Sequence, residues 1–120
     1  MFRLFACVLV LALPVQAAAE EFEPVREKGQ FLDLIKDRVL KIGLYNLSLN
    51  VRPDGKIDGS ALGWDINGSW SWQDGYFCRE MDWSGTKIGY NCQLVEVRSG
   101  TSMRFTVDQG KGDSAVFRLR

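Results

Sequence analysis

Cys78 and Cys92 are the residues of this sequence with the clearest capacity for chemistry. In an exported chain, two cysteines predict one disulfide, and a closed loop of about 15 residues would stabilise the fold by roughly 3 kcal/mol. The alternative is a reactive thiol. The spacing is not that of a Cys-x-x-Cys motif, however, and the 120 residues contain no histidine that could act as a base. A zinc site requires four Cys or His ligands, and Cys78 and Cys92 supply two. We therefore predict no metal and no other cofactor.

Aromatic side chains are concentrated between residues 64 and 90. If Asp74-Gly75 forms a two-residue hairpin turn, Trp72 lies opposite Phe77 and Trp70 lies opposite Arg79 on one face of the sheet. Such a face could line an apolar pocket or stack on a planar ligand, with Arg79 pairing with an anionic group. The candidate ligand-binding residues are therefore Trp70, Trp72, Phe77 and Arg79. The alternative is core packing, because cross-strand aromatic pairs are an ordinary way to hold a sheet together.

Glu80 and Asp82 are two positions apart, on one face of a predicted strand. Paired carboxylates can perform acid–base chemistry or hold a cation. If Phe77, Met81 and Trp83 are buried, alternation places both carboxylates on the solvent side instead. We therefore predict no catalytic residue.

The segment from Gly110 to Ala115 matches the G-x-G-x-x-A dinucleotide fingerprint. That motif requires a helix after it, and the residues from Val116 to Arg120 are typical of a strand. We interpret the segment as a hairpin loop.

Residues 1–19 are predicted to be a signal peptide. Leu4 to Val15 is an apolar run, and the small residues that follow predict cleavage after Ala17 or Ala19. About 12 apolar residues are too few for the roughly 20 that span a bilayer, so no stable membrane anchor is expected after cleavage. Cys7 is lost with this segment. The mature chain is expected in the periplasm or secreted.

The mature chain, residues 20–120, is large enough for a single small domain. Cleavage removes Arg3 from a chain with 15 basic and 15 acidic side chains, which leaves a net charge of about −1. A balance near zero without basic runs argues against nucleic acid as a partner. The expected partner is an unknown small molecule, envelope component or protein.

The hydrophobic pattern predicts one short helix, from about Gln30 to Asp37 within a lead-in over residues 20–38, followed only by strands. Turns are predicted at Pro53–Gly55, Asp65–Gly68, Asp74–Gly75, Ser84–Thr86, Arg98–Gly100 and Asp108–Asp113. Connections this short favour antiparallel neighbours. The predicted fold class is all-β, an up-and-down meander of about eight strands curled into a small barrel. A two-sheet sandwich is the alternative.

Four segments carry a resemblance to a known family: Phe31–Leu34, Asn50–Gly59, Gly68–Arg79 and Asn91–Val95. They resemble a group of small exported bacterial proteins that often carry the name dihydrodipicolinate reductase. The true reductase is a larger cytoplasmic enzyme with a nucleotide-binding fold and a histidine-rich catalytic motif. The resemblance implies membership of the exported group, and none of the reductase's functional residues carries over.

The first functional hypothesis is a non-enzymatic periplasmic β-domain that binds a small molecule, an envelope component or another protein. The second is an enzyme, either the reductase of the family name or a hydrolase that uses Glu80 and Asp82. The third is an inhibitor of a secreted enzyme, which rests on fold analogy alone.

Overall fold

The structure is a computed structural model that describes residues 6–12 and 21–120. The predicted cleavage residues, Ala17 and Ala19, lie outside these ranges. Over the described residues the chain forms, in order, β1 (Glu23–Val25), α1 (Lys28–Ile35), β2 (Leu40–Ile42), β3 (Leu47–Val51), β4 (Lys56–Ala61), β5 (Trp64–Gln73), β6 (Tyr76–Trp83), β7 (Thr86–Arg98), β8 (Ser102–Thr106) and β9 (Ser114–Leu119). A short 3₁₀ turn lies at Gly43–Tyr45, and Val107–Gly110 forms a turn in which Asp108 and Gln109 have left-handed backbone angles.

Strands β2 to β9 form a closed antiparallel barrel. Each strand pairs with the next along the chain, and β9 pairs with β2 to complete the ring. The long strand β7 pairs with β6 along its first part and with β8 along its second part. The structure confirms the predicted all-β meander barrel. The alternative, a sandwich of two separate sheets, is wrong because the strands form one closed sheet. In this ring each of the eight strands pairs with a strand on either side along at least part of its length.

The hairpin turns contain residues with left-handed backbone φ values. Asp74 and Gly75 have φ values of 52° and 80° and join β5 to β6, as predicted. The predicted turn at Asp65–Gly68 is wrong, because these residues belong to β5 and pair with β4. The turn lies just before them, at Leu62 and Gly63, with φ values of 51° and 81°. Both turns have the paired positive φ values of a type I′ hairpin.

The N-terminal lead-in contains a strand that the sequence did not reveal. β1 pairs with the end of β7 as an added ninth strand, and its Pro24 lies opposite Glu96. Proline is tolerated there because an edge strand leaves one side unpaired. Helix α1 begins at Lys28, two residues before the predicted start, and ends at Ile35.

Helix α1 closes one end of the barrel with Phe31. This side chain has 0% exposure, and its ring centroid lies 5.0 Å from that of Trp72 and 5.4 Å from those of Trp70 and Phe77. Phe105 completes the cluster at 6.5 Å. A fully buried phenylalanine contributes about 3–5 kcal/mol relative to alanine. This end of the barrel is therefore a packed aromatic core.

Candidate ligand-binding pocket

The interior of the barrel contains a pocket of about 260 Å³. Its wall is mainly apolar and is formed by Leu40, Leu49, Val51, Ile57, Phe77, Arg79, Met81, Gln93, Phe105, Val107, Asp113, Ser114, Ala115 and Phe117. Asp113, Ser114 and Ala115 are exposed and lie where the β8–β9 loop meets β9. In an up-and-down barrel that loop lies at the opposite end from the β5–β6 turn. The pocket therefore opens to solvent at the end away from that turn.

The β8–β9 loop is held against the barrel wall beside this opening. The Asn91 side-chain amide donates a hydrogen bond to Asp108 Oδ1 at 2.7 Å, and the Asp108 backbone N–H donates to Asn91 Oδ1 at 3.0 Å. The segment that resembled a dinucleotide motif leads directly into β9. No helix follows it, which confirms its interpretation as a hairpin loop.

Arg79 is the charged residue in the depth of this pocket. Its side chain projects inward from β6 and is only 9% exposed. One Nη1–H group donates a hydrogen bond to the backbone carbonyl of Gly89 at 2.7 Å. Burial lowers the pKa of Arg79 below its ordinary value, because the interior disfavours the charged form.

A β-bulge supplies the carbonyl that Arg79 contacts. The pairing of β6 with β7 changes register between Arg79↔Asn91 and Met81↔Ile88, so that two residues of β7 lie opposite Glu80 alone. Bulges interrupt the ladder and redirect backbone groups, and they are common beside functional sites. Here the irregular segment includes Gly89, whose carbonyl accepts the Arg79 hydrogen bond.

Two other arginines provide an internal comparison. Arg52 forms an ion pair with Asp58, and Arg104 forms one with Glu96. In both cases the hydrogen bond to the carboxylate raises the pKa of the arginine. Within residues 6–12 and 21–120, Arg79 has no ion-pair partner, and no carboxylate counters the effect of burial on its pKa.

Gln93 is the second polar group of the pocket wall. It lies on β7 opposite Phe77 and therefore diagonally from Arg79 on the inward face. Its side chain is 7% exposed, and within the described part of the chain its amide forms no hydrogen bond to the protein. A carboxamide offers two N–H donors and one acceptor. Arg79 and Gln93 together can therefore bind and orient a polar group inside an otherwise apolar pocket.

The four candidate residues from the aromatic hairpin divide into two groups. Their predicted register is correct, since Trp70 pairs with Arg79 and Trp72 pairs with Phe77. Phe77 and Arg79 line the pocket, and their role in ligand binding stays a prediction. Trp70 and Trp72 pack around Phe31 and are not among the lining residues.

Hydrogen bonds to backbone carbonyls hold both indoles of this hairpin in place, Trp70 in the core and the half-buried Trp72 against it. Trp70 Nε1 donates to the Arg52 carbonyl at 2.7 Å, and Trp72 Nε1 donates to the Arg26 carbonyl at 3.1 Å.

The predicted disulfide between Cys78 and Cys92 is confirmed. The two residues face each other across β6 and β7, with Cα atoms 3.9 Å apart, on the strand face opposite to Phe77 and Gln93. Cys78 directly precedes Arg79, and Cys92 directly precedes Gln93. The bond on the outer face therefore ties together the two backbone segments that carry the polar groups of the pocket.

Glu80 and Asp82 lie outside the pocket. Glu80 is exposed on the outer face of β6, opposite Ser69. Asp82 Oδ1 accepts a hydrogen bond from the Gly85 backbone N–H at 2.7 Å, which stabilises the β6–β7 turn. The pair does not converge on the pocket described above.

The described residues contain no group of three or more His, Cys, Asp or Glu side chains that could hold a metal ion. Among these residues, no helix has the length and apolar character needed to cross a membrane.

Comparison of the chain with protein-family models, with curated proteins and with solved structures gave no match.

Proposed function

We propose that this protein is an exported, non-enzymatic binding module that holds a small, mainly apolar molecule inside its barrel. The pocket of about 260 Å³ carries the proposal. Eight-stranded barrels have an interior just wide enough for side chains or one small ligand, and ligand pockets are typically apolar with a few polar groups. The polar groups in its depth, Arg79 and Gln93, suit binding better than catalysis, because neither exchanges a proton near neutral pH.

Export to the periplasm or the medium is part of this proposal. It is supported by the predicted signal peptide and by the Cys78–Cys92 disulfide, a bond that persists in oxidising compartments and is rare in the cytosol. Membership of the exported group that the sequence resembles belongs to the same proposal. Nothing in the pocket wall supports the reductase name of that group.

The size of the pocket limits the size of its ligand. If each CH₂ group takes about the volume of a water molecule, roughly 30 Å³, then 260 Å³ holds about nine such groups. Each buried CH₂ contributes about 0.8 kcal/mol, which is roughly a fourfold gain in affinity. Affinity for straight-chain alcohols should therefore rise with length up to about 1-octanol and then stop rising.

The test is a calorimetric titration of the purified mature protein with 1-butanol, 1-hexanol, 1-octanol and 1-decanol. The blocking variant is Ala115→Trp, because Ala115 lines the pocket wall. Its matched control is Val116→Trp, which adds the same indole to the exposed outer face of the same strand. Near-UV circular dichroism establishes that both variants are folded.

We expect saturable binding to the wild type and to Val116→Trp, and loss of binding to Ala115→Trp. Absence of binding to the wild type would refute the proposal. Equal binding to both tryptophan variants would also refute it, since the alcohols would then bind elsewhere.

A further inference from the structure

We propose that the ligand of this pocket carries one anionic group, a carboxylate, that is bound by the Arg79 guanidinium with Gln93 as a second donor. This inference rests on the proposed function and adds the chemical class of the ligand. It predicts an acid with a short apolar chain as the bound molecule.

The charge of Arg79 is not compensated by a carboxylate in the described part of the chain. A buried charge is costly unless it is paired, and arginine is almost never buried without a partner. Arg79 is buried, whereas Arg52, which has an aspartate partner, is exposed. Of these two arginines, the buried one is thus the one that has no carboxylate partner in the described part of the chain. A ligand carboxylate would supply the missing countercharge.

Arg79 also has N–H donors that form no hydrogen bond to the described residues. A guanidinium has five N–H donors in a planar fork that matches the two oxygens of a carboxylate. Among the described residues, the Arg79 side chain donates one hydrogen bond to the protein, to the Gly89 carbonyl. Across the described residues, no fully buried polar side-chain atom lacks a partner, so the remaining donors keep some accessible surface on a residue that lines the pocket. They are positioned to receive a ligand rather than to satisfy the barrel.

The pocket wall around Arg79 contains one amide and mainly apolar side chains. Gln93, the diagonal neighbour of Arg79, offers an amide with no protein partner in the described part of the chain. Apolar side chains such as Leu49, Val51 and Ile57 surround this polar corner. Asp113 is the other charged residue of the wall, but it lies in the exposed loop and forms no ion pair with Arg79. One basic group in an apolar wall matches a carboxylate with an apolar chain.

The experiment compares three probes of equal chain length: octanoate, 1-octanol and octylamine. Calorimetric titrations near neutral pH use the wild type, Arg79→Met and Arg118→Met. Methionine keeps an unbranched apolar stem and removes the charge, and Arg118 is an exposed arginine on β9 that makes the same substitution a matched control. Thermal unfolding with and without each probe gives a second measure of binding.

We expect the wild type and Arg118→Met to bind octanoate at least about tenfold more tightly than 1-octanol, which corresponds to about 1.4 kcal/mol. Octylamine should bind most weakly to both proteins. Arg79→Met should lose the preference for octanoate while its affinity for 1-octanol is maintained.

Each other outcome has a separate meaning. Equal affinity of the wild type for octanoate and 1-octanol would overturn the inference and leave the proposed function in place. No binding of either probe would overturn the proposed function, and the inference with it. A preference for octanoate that persists in Arg79→Met would overturn the assignment to Arg79. If Arg79→Met does not fold, Arg79→Lys replaces it, and the octanoate preference should then fall without disappearing, because lysine lacks the planar fork.

Discussion

Loss of the Cys78–Cys92 bond should cost the protein a large part of its stability. The two cysteines are separated by 14 positions, so the bond closes a loop of about 15 residues in the unfolded chain. In the chain-entropy model this constraint contributes about 3 kcal/mol to the free energy of unfolding. A small domain has only about 5–15 kcal/mol in total. The double variant Cys78→Ala/Cys92→Ala should therefore be about 3 kcal/mol less stable than the oxidised wild type.

Lost packing at Cys78 is a second origin for this loss, and it can be separated from the loop constraint by experiment. Cys78 is 1% exposed, so its replacement also removes some packing. Reduction of the wild type breaks the bond without removing either sulfur. If the loop constraint dominates, reduced wild type and the double variant should lose similar amounts of stability. If packing at Cys78 dominates, the double variant should be much less stable than the reduced wild type.

The assay is urea unfolding followed by tryptophan fluorescence, with and without a reductant. The oxidised wild type should unfold at the highest urea concentration, and addition of reductant should shift its midpoint close to that of the double variant. Reductant should leave the double variant unchanged. The reasoning is refuted if the oxidised wild type and the double variant differ by less than about 1 kcal/mol, well below the chain-entropy value.

Three further substitutions test the barrel geometry and its surface electrostatics. A Cβ at position 59 would lie 2.0 Å from the Ser48 carbonyl oxygen, whereas one at position 29 in α1 would meet nothing within 4 Å. In thermal unfolding, Gly59→Ala should therefore destabilise by about 1–3 kcal/mol and Gly29→Ala should stabilise by about 0.5–1 kcal/mol; equal effects would contradict the close approach of β3 and β4. The hydrogen bond from Arg52 holds the pKa of Asp58 below its ordinary value of 3.8, so this carboxylate stabilises the fold above that pH and loses its effect as the pH falls through its lowered pKa. Asp58→Asn should be less stable than the wild type near neutral pH, and the difference in urea midpoint should disappear in strong acid; a difference independent of pH would contradict the ion pair.

Local turn chemistry made much of the barrel predictable. Asp74-Gly75 predicts a two-residue hairpin turn because both turn positions require positive φ. A turn of known length fixes the register of β5 against β6. The pairing of Trp70 with Arg79 followed directly. By contrast, a turn was predicted at Asp65–Gly68, although Leu62-Gly63 forms the turn. Leucine is a poor residue for positive φ, so the tertiary pairing of β4 with β5 overrides local preference there.

The pocket required information that local patterns do not contain. Gln93 was within reach of sequence reasoning, since a bond between Cys78 and Cys92 places Phe77 opposite Gln93 when adjacent residues stay in register. The bulge has one local signal, the isolated Gly89 inside a strand pattern, but that signal does not say how the register shifts. The volume of the pocket depends on how eight strands close around their side chains, which is a property of the whole ring.

A structural role alone does not account for Arg79. If the only requirement were a hydrogen bond to the Gly89 carbonyl, a neutral donor would meet it without the cost of burying a charge. Arginine also brings donors that the barrel does not use, next to a Gln93 amide that has no hydrogen-bond partner among the residues the structure describes. The outer-face disulfide joins the residues immediately before both side chains, so the most constrained backbone of the hairpin is the part that carries them. A cation, an amide and a covalently fixed backbone around one apolar pocket are the elements of a preorganised site for an organic acid.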